Sequence, residues 1–172
     1  VNTLRFEHLF HMGMDRGLPE LLSPAPGLSI GLGESPDATK RHGRDLSLGL
    51  PDWEWPRDRI PVEDETVGIV HAYHFFEHLS GEDAIEMLFE IDRVLVMGGV
   101  LQFCIPWGKS ELAIQDLTHK SLWSESSFRN LFNTYYDPKL GRELRLRQHY
   151  LVIAGIVERN LALLGQLVKE RS

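Results

Sequence analysis

Residues 66–106, TVGIVHAYHFFEHLSGEDAIEMLFEIDRVLVMGGVLQFCIP, constrain the fold more than any other stretch of the chain. They read as strand, short polar turn, amphipathic helix, paired glycines and a second strand, which is one βαβ unit of a parallel sheet. Residues 67–73 are rich in β-branched and aromatic side chains. Residues 74–79 then carry polar groups where a parallel strand would end. A helix is expected over 83–96: Ile85, Leu88, Ile91 and Leu95 repeat at helical spacing, and Ala84, Met87 and Val94 widen the apolar face. Ser80 and Asp83 have capping-box spacing. Glu82, Asp83 and Glu86 stand where the helix dipole favours anions, and Arg93 near the end where it favours cations. Gly98-Gly99 is read as the helix stop, because glycine tolerates positive φ. The second strand, 100–105, stops at Pro106.

The remaining chain sets the bounds. At 172 residues it fits a single domain, 1–172, with room for a real core. A formal net charge of −7 argues against a general nucleic-acid surface, which needs clustered Lys and Arg. Arg142, Arg145 and Arg147 form the one dense basic run, read as a solvated strand face or a contact for an anionic partner. Cys104 is the lone cysteine and falls in a core strand, which excludes an intrachain disulfide and a cysteine-rich zinc site. No apolar run is long enough to span a membrane and no signal-peptide pattern is seen, so an intracellular, cytoplasmic protein is expected. Oligomeric state is not legible in the sequence.

Residues 1–23 have a loose helical pattern. Pro24, Pro26 and Gly27 break it, and residues 28–30 form a short apolar strand. Gly31-Leu32-Gly33 follows, either a tight turn or a loop whose backbone can approach a ligand closely. The next strand-like acid is Asp45, too soon for a full helix plus a strand between them. The first crossover is therefore shortened. Trp53 and Trp55, in a proline-rich stretch, are either a stacking surface for a ring or a lid over the sheet edge. His71, His74, Glu77 and His78 lack metal-motif spacing, and His8 and His11 lack a carboxylate or cysteine nearby, so no metal site is expected. His74 falls where the carboxyl end of a parallel strand opens onto a crevice, the usual ligand position in such sheets. Residues 107–115 read as a loop and 124–132 as a short helix capped by Ser124 and Ser127. In the tail, Val152, Ile153, Ile156 and Val157 favour strand, whereas residues 161–164 locally favour helix.

Taken in order and spacing, IPVEDETVGIVHAYHFFEHL, EIDRVLVMGGVLQFCIP and DLTHKSLWSESSF resemble the class I S-adenosylmethionine-dependent methyltransferases. The likeness covers about residues 28–132 and is closest to small members with an "H-x-L-E-H" segment, "E-x-x-R-V-L-K-P-G-G" and "D-x-T-H". It implies an α/β, Rossmann-like methyltransferase fold, with a mostly parallel central sheet flanked by helices, here shortened after the first strand. It implies S-adenosylmethionine as cofactor, with Gly31, Leu32 and Gly33 around its methionine part. Asp45 then stands at the ribose or near the adenine, and His74 at the crevice. It places residues 116–120 over the acceptor side and ends the chain in an antiparallel hairpin. Two departures are visible: no third glycine follows Gly33, and Gly68 stands where members usually carry an acid.

Methyl transfer from a sulfonium needs alignment and water exclusion more than a nucleophile. Where the acceptor must lose a proton, a histidine is the natural base, and His119 and His74 are the candidates. A small molecule or saccharide is the expected acceptor. The alternative is a non-catalytic module that keeps this fold to bind a partner. A nicotinamide-binding protein shares the spacing problem and explains none of the later motifs.

Overall fold

The computed structural model describes residues 27–30, 46–48, 53–134, 136–137, 142–155 and 160–171. Its centre is a six-stranded sheet. In chain order the strands are β1 (Gly27–Ile30), β2 (Leu46–Leu48), β3 (Val67–Tyr73), β4 (Leu95–Pro106), β7 (Leu146–Ala154) and β8 (Ala162–Lys169); in space they run β2-β1-β3-β4-β8-β7. The first four in that order are parallel, and β8 and β7 close the sheet antiparallel. A two-stranded ribbon, β5 (Tyr136–Asp137) with β6 (Arg142–Glu143), lies apart from it. As expected, 28–30, 67–73 and 100–105 are adjacent and parallel.

Helix α1 (Gly81–Val94) connects β3 to β4. Ser80 caps it: its Oγ accepts from the Asp83 N–H at 3.1 Å and donates to the Asp83 carboxylate at 2.7 Å. Ala84, Met87, Leu88, Ile91 and Val94 are buried, as their spacing requires. The helix stops earlier than expected and not at the glycines. Leu95 is already extended and pairs with Val67, because a buried sheet position outbids another helical turn. Gly98 and Gly99 instead serve a bulge. Between the Val67–Leu95 and Ile69–Val100 pairs, residues 96–99 of β4 stand against Gly68 alone. Gly98 has φ +77°, and a Cβ on Gly99 would meet the Val96 carbonyl at 2.8 Å and that of Gly68 at 3.2 Å. Close backbone approach thus requires glycine at Gly99.

The core lies on the α1 side of the sheet, where Val70, Ala72, Leu101, Phe103, Leu163 and Leu167 are buried. Helix α3 (Glu125–Thr134) adds Phe128, stacked on Phe103 at 4.7 Å. Ser124 and Ser127 cap this helix reciprocally. Residues 107–115 are not all loop: 111–114 form one helical turn, α2 (Glu111–Ile114). In the tail the hairpin prevails over local propensity. β8 pairs on both sides and its residues 162–167 are buried, a context that favours strand whatever the isolated preference.

Trp53 and Trp55 act as a lid. Trp53 is buried beside Phe75 and donates to the Arg59 carbonyl, and Trp55 donates to the Asp83 carbonyl on α1. The basic run is internally neutralised at Arg145, paired with Asp92 and Glu65, and at Arg147, paired with Glu143. Among the described residues no helix is long and apolar enough to cross a membrane. The expected helices of 1–23 lie outside the described residues.

Candidate active site

The carboxyl ends of the parallel strands define one edge of the sheet. β1 ends at Ile30, opposite Ala72, and the sequence continues there as Gly31-Leu32-Gly33. Those three residues lie outside the described ones, as does Asp45. In chain order Asp45 precedes the first residue of β2, Leu46, rather than following its last.

β3 ends at Tyr73, and the next residue, His74, turns the chain with φ +51°. That is unusual for a residue with a side chain, and such strain concentrates at functional sites. Its N–H still joins the ladder, donating to the Cys104 carbonyl at 2.9 Å. The ring bridges two neighbours: Nδ1 lies 2.9 Å from Glu77 Oε1, and Nε2 lies 3.8 Å from Cys104 Sγ. Burial pulls the imidazolium pKa down, but Cys104 and Glu77 more than offset it and hold it up at about 10. Both ring nitrogens of His74 are thereby engaged where the crevice opens, Nδ1 by Glu77 and Nε2 by Cys104.

A single 3-10 turn, Phe76–His78, follows. Residues 116–121 are tied across it. The Glu77 carbonyl accepts from the N–H groups of Lys120 (2.7 Å) and Ser121 (3.2 Å), and the Phe76 carbonyl accepts from Ser121 Oγ. Asp116 forms a local turn, taking both the N–H and the hydroxyl of Thr118 on Oδ1. Those bonds, the Thr118 N–H foremost, hold the Asp116 carboxyl below its ordinary range. His119 Nδ1 donates to the Ala113 carbonyl at 2.8 Å, so His119 does anchor its loop. Its side chain is 9% exposed. Its ring meets that of His78 edge-on at 4.8 Å, and Nε2 lies 3.9 Å from Asp116 Oδ2. Burial, with His119 as a second contributor, lowers the pKa of His78.

Among the described residues, buried side-chain polar atoms lack a partner at Gln166, in β8, and at Glu77. Glu77 is 1% exposed; Oε1 faces His74, while Oε2 is buried with no hydrogen-bond partner among the described residues. One ligand atom each from Glu77, His78 and His119 lies within 4.8 Å of the others, a spacing that could hold a metal ion. Sequence spacing hid this set, because His119 arrives from a loop 41 positions after His78. The "E-H" and "D-x-T-H" likenesses were the available signals, but neither says that the two segments meet. Elsewhere, a groove runs along α1 between Trp55, Arg59, Glu90, Arg93 and Arg145. Its charges largely satisfy one another.

Comparison with protein-family models and with curated protein sequences gives no match. Comparison with solved structures is decisive for the fold. The chain is similar to the N-methyltransferase NodS from Bradyrhizobium japonicum WM9 in complex with S-adenosyl-L-homocysteine, with TM-score 0.68 and 14% identity over 99% of this chain and 90% of that one. This is a class I methyltransferase fold. A SAM-dependent methyltransferase from Archaeoglobus fulgidus aligns over 94% of each chain at 16% identity and TM-score 0.60. The StiE O-MT, residues 961–1257, aligns over 96% of this chain and 74% of its own at 11% identity and TM-score 0.63. The expected α/β, Rossmann-like architecture is therefore the observed one.

Proposed function

We propose that the protein is an S-adenosylmethionine-dependent methyltransferase acting on a small-molecule or saccharide acceptor. The observation that carries this reading is the shared edge. Parallel neighbours β1 and β3 end at Ile30 and Tyr73, so the chain leaves the sheet side by side into Gly31-Leu32-Gly33 and into His74. Ligands of open parallel sheets bind at that edge. Gly31, Leu32 and Gly33 are proposed to line the methionine part of the cofactor, Asp45 to accept from its ribose, and His74 to stand at the crevice. When bound, the cofactor would supply a methyl group already activated on sulfur, so the chain need only bind, align and exclude water. The acceptor would lie against residues 116–121, where His119 Nδ1 is spent on Ala113 and Nε2 would be the base in the metal-free protein. An N-methyltransferase and an O-methyltransferase both occur among the similar structures, so the fold leaves the accepting atom open.

Calorimetric titration with S-adenosylhomocysteine is the test. Micromolar binding is expected from the wild type, and Gly31→Val should abolish it while circular dichroism stays unchanged, because a side chain would fill the cofactor's space. A folded wild-type sample that gives no heat would instead support a binding module without catalysis.

A further inference from the structure

The orphaned oxygen of Glu77 needs an explanation. A carboxylate oxygen cut off from water with no donor is costly and rare. Its surroundings supply what a cation would want. His119 Nδ1 faces the Ala113 carbonyl, which can only accept, so the proton sits on Nδ1 and the lone pair on Nε2. The same logic fixes His78. Its Nδ1 lies 3.1 Å from Thr118 Oγ1, whose single hydroxyl proton is directed to Asp116 Oδ1 at 2.7 Å. Thr118 therefore accepts from His78, and the His78 lone pair is again on Nε2. Two imidazoles are thus backed, through one nitrogen each, by a carbonyl and by a hydroxyl–carboxylate relay. This is how metal-bound histidines are ordinarily oriented.

We propose that Glu77, His78 and His119 form a binding site for one divalent transition-metal ion, held by two imidazole nitrogens and a carboxylate oxygen. Two neutral nitrogens and one anionic oxygen suit zinc and its first-row neighbours, whereas calcium and magnesium prefer oxygen throughout. One ligand atom from each of the three residues lies within 4.8 Å of the other two. Metal–ligand bonds of about 2.0–2.2 Å require them to close by roughly 1 Å around the ion. Three protein ligands leave a coordination position for water or substrate, the arrangement of an open rather than a closed site. That this position faces the acceptor rests on the methyltransferase reading; the binding of the ion does not.

Untagged protein, stripped with a chelator, is titrated with zinc chloride by calorimetry and with cobalt(II) by visible absorption. One equivalent per chain should bind, and cobalt should develop d–d bands. Loss of groups that only orient a ligand costs about 10–100-fold in metal affinity. Glu77→Gln and His119→Ala, which remove ligands, should each cost at least about 10-fold, while the metal-free variants keep the wild-type circular dichroism. Absence of saturable one-equivalent binding by the folded wild type overturns the site. So does zinc binding that the variants retain at wild-type affinity, since the ion is then held by other groups. Should His119→Ala fail to fold, Glu77→Gln decides alone. S-adenosylhomocysteine titrated into the same samples separates the two readings. Its binding without zinc binding removes only the metal site, and zinc binding without it removes only the methyltransferase assignment.

Discussion

The two edges of the sheet treat buried charge in opposite ways. At the amino edge Lys169, with no exposed side-chain surface, gives its protons to Glu65 (3.0 Å) and to the carbonyls of Asp92 (2.8 Å) and Leu95 (2.6 Å). Asp92 in turn accepts from the backbone and guanidinium of Arg145, and Glu90 from Arg59, Arg93 and the Ile60 N–H. At the carboxyl edge Glu77 is as deeply buried, yet one of its oxygens has no partner among the described residues; positive φ occurs at both edges, at Glu65 and at His74. A fully paired network is what fastening helix to sheet requires. An unpaired buried carboxylate is what a ligand-binding edge retains.

The largest test sets one edge against the other. Lys169→Met leaves the buried Asp92 and Leu95 carbonyls without their donor and Arg145 alone to pair Glu65 and Asp92, so denaturant unfolding should show a loss of about 3–5 kcal/mol. Glu77→Gln keeps an oxygen for His74 Nδ1 but removes the charge that strengthens that bond, so it should cost less than Lys169→Met, about 1.5–3 kcal/mol. Equal losses at both edges would break the comparison.

A change in the middle of the sheet should be purely steric. A Cβ on Gly165 would come within 2.3 Å of the Phe103 ring, itself stacked on Phe128. Overpacking of this kind should make Gly165→Ala about 1–3 kcal/mol less stable in thermal or urea unfolding. Cofactor and zinc affinities measured well below the melting temperature should not move.

The amino edge should also carry part of the acid sensitivity. Burial alone would raise the Glu90 pKa, but hydrogen bonds from Arg93 and Arg59 bring it below its ordinary 4.5. A carboxyl with a lowered folded-state pKa stabilises the fold above 4.5 and loses that contribution as pH falls through the folded value. Stability measured against pH should therefore decline on the acid side of 4.5, less steeply in Glu90→Gln. An unchanged slope would show that the pairing adds nothing.

The smallest stability effect should come from Thr118, which is exposed in its bond to His78. Thr118→Val breaks the relay to Asp116 and should cost under about 1 kcal/mol, a surface hydrogen bond's worth. Zinc affinity should nonetheless fall about 10-fold, because His78 is no longer oriented. Loss of stability without loss of zinc affinity would assign the relay to the loop rather than to a ligand.

Local chemistry was enough to determine the βαβ unit from 66 to 106. Its side-chain periods, the Ser80 cap and the order of polar and apolar residues act over a few positions, and the chain obeys them wherever it is solvated on one side. Local chemistry could not say where α1 ends, since the bond that stops it is the pairing of Leu95 with Val67, made across the sheet. Nor could it choose strand for 161–164, which the pairing of β8 with both neighbours decides. The site divides in the same way. His74 was legible because a residue just past a parallel strand must stand at the sheet's edge. The meeting of Glu77, His78 and His119 was not, because it depends on two backbone bonds from the Glu77 carbonyl that fold residues 120 and 121 back over the turn. Such closure is set by the packing of distant segments, and neither segment alone contains it.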